Sequence, residues 1–298
     1  MNDKIDQAAE RRARWQVALG SVVISSSAVF VRLTHNGPAV DAFYRMLFGG
    51  LSLLIFALLQ RQTLYGGLKP LIYGSLAALC VVTDLFFWHR SIGIIGPGLA
   101  TILGNLQVFV LAIVGIAFFK EKVSWPYYLA IPIACIGLYC LVGFKWDVVT
   151  PNYQWGVFYG LITAFFYGFY IFFLRKSQSL PNKLAPSANL VWVSFVGAAF
   201  AGIVALSMHE SFVIQTTMDF TWLFLYGFTS QLLGWVLISR GLPYINISLA
   251  GFFILIQPAL AFVWDVLLFN RPTPIIEIAG VVITFSAIYL STISRRTE

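Results

Sequence analysis

Charged side chains are scarce in this sequence. Asp, Glu, Lys and Arg make up only 10% of the 298 residues, whereas about 25% is usual for a soluble domain. Hydrophobic residues reach 59%, and long apolar runs recur along the whole chain with only short polar segments between them. This composition excludes an ordinary soluble domain and indicates an all-α integral membrane protein with many spanning helices.

Cysteine is also rare, and it forms no metal-binding pattern. The three cysteines lie inside apolar runs, without a CxxC or zinc-ligand spacing: Cys80, Cys135 and Cys140. We therefore expect buried free thiols, with no metal and no cofactor.

Motifs of common enzymes are missing as well. The sequence contains no HExxH, no GxSxG nucleophile elbow and no Walker A motif. Asp84 and Asp265 could in principle form a catalytic dyad, but neither lies in the GxGD-like setting of intramembrane proteases. We predict that the protein is not an enzyme and keep an intramembrane enzyme as the rival class.

Ten apolar segments are long enough to span a bilayer, which takes roughly 20 residues each. They cover about 16–34, 39–60, 70–91, 97–119, 124–144, 153–174, 186–208, 219–240, 245–269 and 274–294. Gly and Pro mark the joints between them, as in "IGPG" and "NRPTP". The sequence therefore predicts ten membrane helices with short loops.

The distribution of Lys and Arg predicts the orientation. With the N-terminus in the cytoplasm, fourteen of these residues fall on the inner side and four on the outer side. Because cytoplasmic loops are enriched in Lys and Arg, we expect both termini in the cytoplasm, in a bacterial inner membrane. Contacts with anionic lipids then explain the basic isoelectric point, and no nucleic-acid partner is expected.

An internal repeat appears at an offset of 150 residues. "HRSIGIIGPGLATILGNLQ" aligns without a gap over "SRGLPYINISLAGFFILIQ", so that Arg90 matches Arg240 and Gln107 matches Gln257. We predict two five-helix repeats, residues 1–148 and 149–298, and five helices per repeat make the second one inverted. Inverted repeats are typical of secondary transporters, whose solute site lies near the bilayer midplane between the repeats.

Two further segments resemble the drug/metabolite transporter superfamily, and in particular its EamA-like, ten-helix members. They are "AVDAFYRMLFGG", with Arg45, and "AFFKEKVSWPYYLAIPIACIGLYCL", with Glu121 and Gly137. The resemblance implies export of small metabolites such as amino acids, their derivatives or nucleotide sugars. The sequence departs from the family where Asn270 and Arg271 replace the acidic residue of the second junction.

Polar side chains in the middle of apolar segments are candidates for a solute site, because a buried amide or hydroxyl must find hydrogen-bond partners. The predicted solute-binding residues are Ser26, Asn105, Gln107, Gln231 and Gln257, with Trp88, Tyr167 and Trp235 as aromatic partners. The alternative is that the amides only join helices, at about 0.6 kcal/mol per contact. Pro258, beside Gln257, is the candidate hinge.

Two ionisable residues lie within the membrane. Arg45 and Asp84 are each placed roughly 10 Å inside the outer end of a helix, from a rise of about 1.5 Å per residue. Charges at this depth usually pair, so we expect them to be neighbours. They form either a structural ion pair, or an outer gate or charged subsite for a zwitterionic solute, and Asp84 is the candidate carrier of a coupling proton.

These observations predict a secondary transporter, acting as an exporter of small polar or amphipathic metabolites. It would work by alternating access around a cavity between the repeats. A nucleotide-sugar or other metabolite exchanger of the same fold is the alternative within this class.

Overall fold

In the computed structural model, the described part of the chain is residues 2–119, 125–142, 150–241, 244 and 253–293, and it contains helices and no strand. Eight helical segments in it are long and apolar enough to cross a membrane, and Ile256–Phe269 and Ile275–Ser291 are shorter apolar helices. This confirms an all-helical membrane protein and fits the ten-helix plan.

We number the helices by membrane segment. They are α1 (Asn2–Ser25 and Ser27–Leu33), α2 (Pro38–Leu59), α3 (Leu68–Ile95), α4 (Pro97–Gly104 and Gln107–Phe119), α5 (Trp125–Val142), α6 (Pro151–Gln178), α7 (Pro186–Ser207), α8 (Thr217–Gly227, Phe228–Gly234 and Trp235–Gly241), α9 (Ile256–Phe269) and α10 (Ile275–Ile293).

Proline and glycine set several of these boundaries, as the sequence indicates. Pro38, Pro97, Pro151 and Pro186 each begin a helix, where the missing N–H has no intrahelical partner to lose. Gly96 separates α3 from α4 with a φ of 87°, a conformation that a side chain would strain.

Loop contacts define two ends of the bundle. At one end, Asn182 Nδ2 donates to the carbonyl of Gly66, which joins loops 60–67 and 179–185. At the opposite end, Glu210 Oε2 accepts from the amides of Ala39 and Val40, at 3.0 and 2.9 Å. We call these the inner end and the outer end, after the predicted orientation.

Helix packing follows the 150-residue offset. Helix α3 packs on α6, and the corresponding helices α8 and α1 pack on each other. The remaining corresponding helices pair directly, α2 with α7, α4 with α9 and α5 with α10. This is the pattern expected of two related five-helix repeats. The predicted boundary between residues 148 and 149 lies outside the described residues, as does Glu121.

Four helices are irregular near the middle of the bundle. Helix α1 is interrupted at Ser26, α4 at Asn105 and Leu106, and α9 begins after a turn at Leu255. Helix α8 contains a π-helical stretch, Phe228–Gly234. Asn105 and Leu255 are separated by 150 residues, so the interruption recurs at one repeat position. Broken helices of this kind line solute sites in membrane proteins.

Candidate functional site

A cavity of about 420 Å³ lies between α1, α2, α3, α4, α6, α8 and α9. Its lining mixes aromatic and aliphatic side chains with four amides and two buried ionisable residues. The lining residues that carry the description below are Arg45, Asp84, Trp88, Thr101, Asn105, Thr163, Tyr167, Tyr170, Arg175, Gln178, Gln231, Trp235 and Gln257. A volume of this size falls within the roughly 300–1,000 Å³ typical of small-molecule sites.

Helical periodicity explains why these residues face one space. On α6 the lining residues include Tyr167, Tyr170, Leu174 and Gln178, spaced by three or four residues and therefore on one face of the helix. This stripe ends at exposed Arg175 and at Gln178 near the inner end. The cavity therefore extends to the inner end of the bundle.

The two repeats contribute equivalent positions. At the 150-residue offset, five pairs line the cavity from both halves of the chain: Ile24 and Leu174, Val81 and Gln231, Leu85 and Trp235, Trp88 and Ile238, and Gly104 and Ile254. The cavity is thus built around the relation between the repeats, which is where the repeat predicts it.

Most of the predicted site residues line this cavity. They are Arg45, Asp84, Trp88, Asn105, Tyr167, Gln231, Trp235 and Gln257. In two of them part of the polar group is held by the protein. Asn105 Nδ2 donates to Thr101 O at 2.8 Å, and Gln231 Nε2 donates to Ser194 Oγ at 3.3 Å.

Three predicted residues are not in the lining. Ser26 Oγ donates to the carbonyl of Val23 in its own helix, at 2.7 Å. Gln107 is buried, but it lies two residues after Asn105, a spacing that puts two side chains on different sides of a helix, and its Oε1 has no hydrogen-bond partner among the described residues. Pro258 lies in the first turn of the segment Ile256–Phe269 rather than in mid-helix, where it breaks no helical hydrogen bond.

Arg45 and Asp84 do not form the expected ion pair. Arg45 Nη1 instead donates to the hydroxyl of Tyr226 at 2.7 Å, and its guanidinium lies 4.8 Å from the centre of that ring. Asp84 is only 6% exposed, and within the described part of the chain its carboxyl group has no hydrogen-bond or ion-pair partner. Two ionisable side chains of opposite sign therefore line one cavity without a direct contact.

Several residues of the site were not predicted. The spacing from Tyr167 along α6 would have identified Tyr170, Leu174 and Gln178 as neighbours on the same face. Tyr226 carries no such signal, because 16% of the residues are aromatic and it has no aromatic counterpart in the first repeat. Its role is visible only from its contact with Arg45.

A bundle of apolar helices around a partly polar cavity defines an integral membrane protein with a site for a small solute. The profile of the EamA-like transporter family matches residues 13–143 and 154–293, one match in each half of the sequence. The chain therefore belongs to the EamA-like transporter family, as its resemblance to the drug/metabolite transporter superfamily predicted. Members of this family are membrane transporters of small molecules rather than enzymes.

A solved structure described only as "Crystal structure of protein" shares the fold. It is 14% identical, with a TM-score of 0.65, and the match covers 96% of this chain and 99% of the other. A comparison with curated proteins gives no match.

Proposed function

We propose that this protein is a secondary transporter that exports amino acids or their derivatives by alternating access around the central cavity. The observation that carries the proposal is the pair of unneutralised charges, Arg45 and Asp84, in a cavity of about 420 Å³. A buried charge is costly unless it is paired. A solute that brings both a cation and an anion would supply the missing partners.

The groups in the cavity suit a zwitterion with an apolar side chain. Asp84 accepts hydrogen bonds from an ammonium group, and Arg45 donates to a carboxylate. The rings of Trp88, Tyr167 and Trp235 line the same space and offer apolar surface for the rest of the solute. A nucleotide sugar fits less well, because its diphosphate would be repelled by the carboxylate of Asp84.

Alternating access is supported by the repeat-related lining. Because equivalent positions of α3 and α8 line the cavity, an exchange of conformation between the repeats would open it to the opposite side. Asp84 is the proposed site of the coupling proton, since one carboxylate cannot hold a proton and a substrate ammonium group at the same time. Export is the direction that the family resemblance implies.

Ligand screening tests the proposal directly. The detergent-purified protein is heated with amino acids, nucleotide derivatives or organic cations, and solutes that raise the melting temperature are then followed in flux assays with proteoliposomes. We expect α-amino acids or their derivatives to stabilise the protein and to be transported. Stabilisation by nucleotide sugars alone, or chemical conversion of the solute, would overturn the proposal.

Asp84→Asn isolates the carboxylate. The substitution keeps the shape and removes the charge, so a solute with an amino group loses a charge-assisted hydrogen bond of about 1.5–3 kcal/mol, which is roughly a ten- to hundredfold loss in affinity. Asp219→Asn is the control, because Asp219 also has little exposed surface but bonds to Thr216 and His35 outside the cavity. Equal affinity in Asp84→Asn and the parent protein would contradict the assignment.

A further inference from the structure

A second, smaller pocket lies at the outer end of the bundle. Its volume is about 210 Å³, and α1, α2, α3 and the loop that joins α1 to α2 form it. Most of the groups around it are polar: Arg32, Thr34, Asn36, Asp41, His89 and Arg90.

The outer pocket continues the central cavity along the same helix faces. On α2, Arg45 lines the cavity and Asp41 and Pro38 line the pocket, at spacings of four and three residues that keep one face. On α3, Trp88 lines the cavity and the next residue, His89, lines the pocket. The two spaces therefore follow one another along a single route through the bundle.

A chain of hydrogen bonds separates them. Arg45 Nη1 lies 2.7 Å from the Tyr226 hydroxyl, which lies 2.8 Å from His89 Nε2. His89 Nδ1 lies 2.8 Å from the carbonyl oxygen of Pro38. Because that carbonyl can only accept, Nδ1 carries the proton, Nε2 accepts from the Tyr226 hydroxyl, and the hydroxyl oxygen accepts from Arg45. All three hydrogen bonds are therefore satisfied with a single assignment of donors and acceptors.

We propose that Tyr226 and His89 form the outer gate of the transport route, and that the outer pocket receives the solute once the gate opens. This inference rests on the proposed function, because a gate requires a route. Tyr226 is fully buried, and its hydroxyl connects Arg45 of α2, which lines the cavity, to His89 of α3, which lines the outer pocket. The same contacts hold Arg45 in position, so opening the gate would also release the arginine.

An irregular segment of helix α8 could allow Tyr226 to move. The π-helical stretch Phe228–Gly234 begins two residues after it. A π-turn has one residue more than the α-helical turn that would replace it. A change from π to α in this stretch would rotate the preceding turn, and Tyr226 with it, away from His89.

Cysteine accessibility tests the gate without any solute. In a background with alanine at the three native cysteines, Val81→Cys reports on the central cavity and Val31→Cys on the outer pocket, because each residue lines that space. An impermeant thiol reagent is applied from the side that labels Val31→Cys. We expect slow labelling of Val81→Cys with Tyr226 present, and labelling several times faster with Tyr226→Phe, which keeps the ring and removes the hydroxyl.

Tyr44→Phe is the matched control. Tyr44 also lies near the outer end, and Tyr44→Phe loses one hydrogen bond, at 2.6 Å to the carbonyl of Phe212, but that bond involves no residue that lines either space. Unchanged labelling in folded Tyr226→Phe, or an equal increase in Tyr44→Phe, would overturn the gate. If Tyr226→Phe does not fold, His89→Leu is used instead. It breaks the same series of hydrogen bonds and must give the same increase in the labelling rate of Val81→Cys. The rate depends on access alone, so it is informative even if the proposed substrate is wrong.

Discussion

At the scale of single residues, Arg45 shows how an intramembrane cation can be stabilised and still be able to bind a solute. Tyr226 offers it a hydrogen bond and the face of a ring, and both interactions favour a cation in a low-dielectric setting. Neither neutralises it, so its charge still acts on the cavity. The guanidinium contacts Tyr226 rather than Asp84, so both ionisable groups stay available to a solute in the proposed site.

The two repeat-related glutamines give a matched test of the difference between binding and packing. Gln257 lines the cavity, whereas Gln107 is buried outside it with an unpaired Oε1. Gln257→Leu should therefore lower solute affinity severalfold, at about 0.5–1.5 kcal/mol per hydrogen bond lost, with little change in melting temperature. Gln107→Leu should leave affinity unchanged and keep or raise stability, because it removes an unsatisfied polar group.

Both quantities are measured on the same purified variants, by ligand titration and by thermal unfolding. If Gln257→Leu loses stability and keeps its affinity, the amide only joins helices, and the binding role is wrong.

The sequence indicates how deep a residue lies in the membrane, and the helical period indicates its direction around a continuous helix. Gln107 is predicted together with Asn105 because both lie in the middle of one apolar segment. Two residues correspond to a turn of about 200° around a helix, so the helical period already separates the two side chains. In the continuous helix α3, Asp84 and Trp88 are four residues apart, and they line the same cavity.

At the scale of helices, all four irregular helices, α1, α4, α8 and α9, line the cavity, together with the continuous helices α2, α3 and α6. Helices α5 and α10 contribute nothing to its lining among the described residues. They pack closely on each other through small residues such as Gly137, Gly280 and Ala287. Close approach of this kind gives membrane helices a stable contact without a hydrophobic driving force. We infer that this pair supports the bundle while the interrupted helices move.

Gly137→Ala tests whether the packing of α5 on α10 contributes to the stability of the protein. A Cβ at Gly137 would lie 2.4 Å from Thr284 Oγ1 and 2.8 Å from the backbone nitrogen of Thr284. Such overpacking costs about 1–3 kcal/mol, so the melting temperature should fall. Gly93→Ala is the control, because nothing lies within 4 Å of its added Cβ, and alanine is the better helix former. An equal fall in both variants would show that the α5–α10 contact is not special.

At the scale of the whole molecule, the inner and outer ends of the bundle differ in how the central cavity meets them. The central cavity reaches exposed Arg175 at the inner end, whereas its outer limit is formed by buried residues such as Trp88. Outer contacts also join separate helices. Asp265 Oδ2 accepts from the amide of Gly98 at 3.0 Å, and Arg271 lies 3.1 Å from Glu277 Oε2. The structure is therefore closed at the outer end, and the orientation in the membrane decides which compartment the cavity faces.

That orientation is the last prediction. Lys183 is exposed in an inner loop and Gln215 is exposed in an outer loop, and neither residue lines the cavity. In a cysteine-free background, Gln215→Cys should react with an impermeant thiol reagent added outside intact cells. Lys183→Cys should react only after the membrane is permeabilised, because Lys and Arg concentrate on the cytoplasmic side. The reverse pattern would place the open cavity on the outside and rule out the charge-based orientation, whereas reaction of both cysteines in intact cells would mean that the protein inserts in both directions.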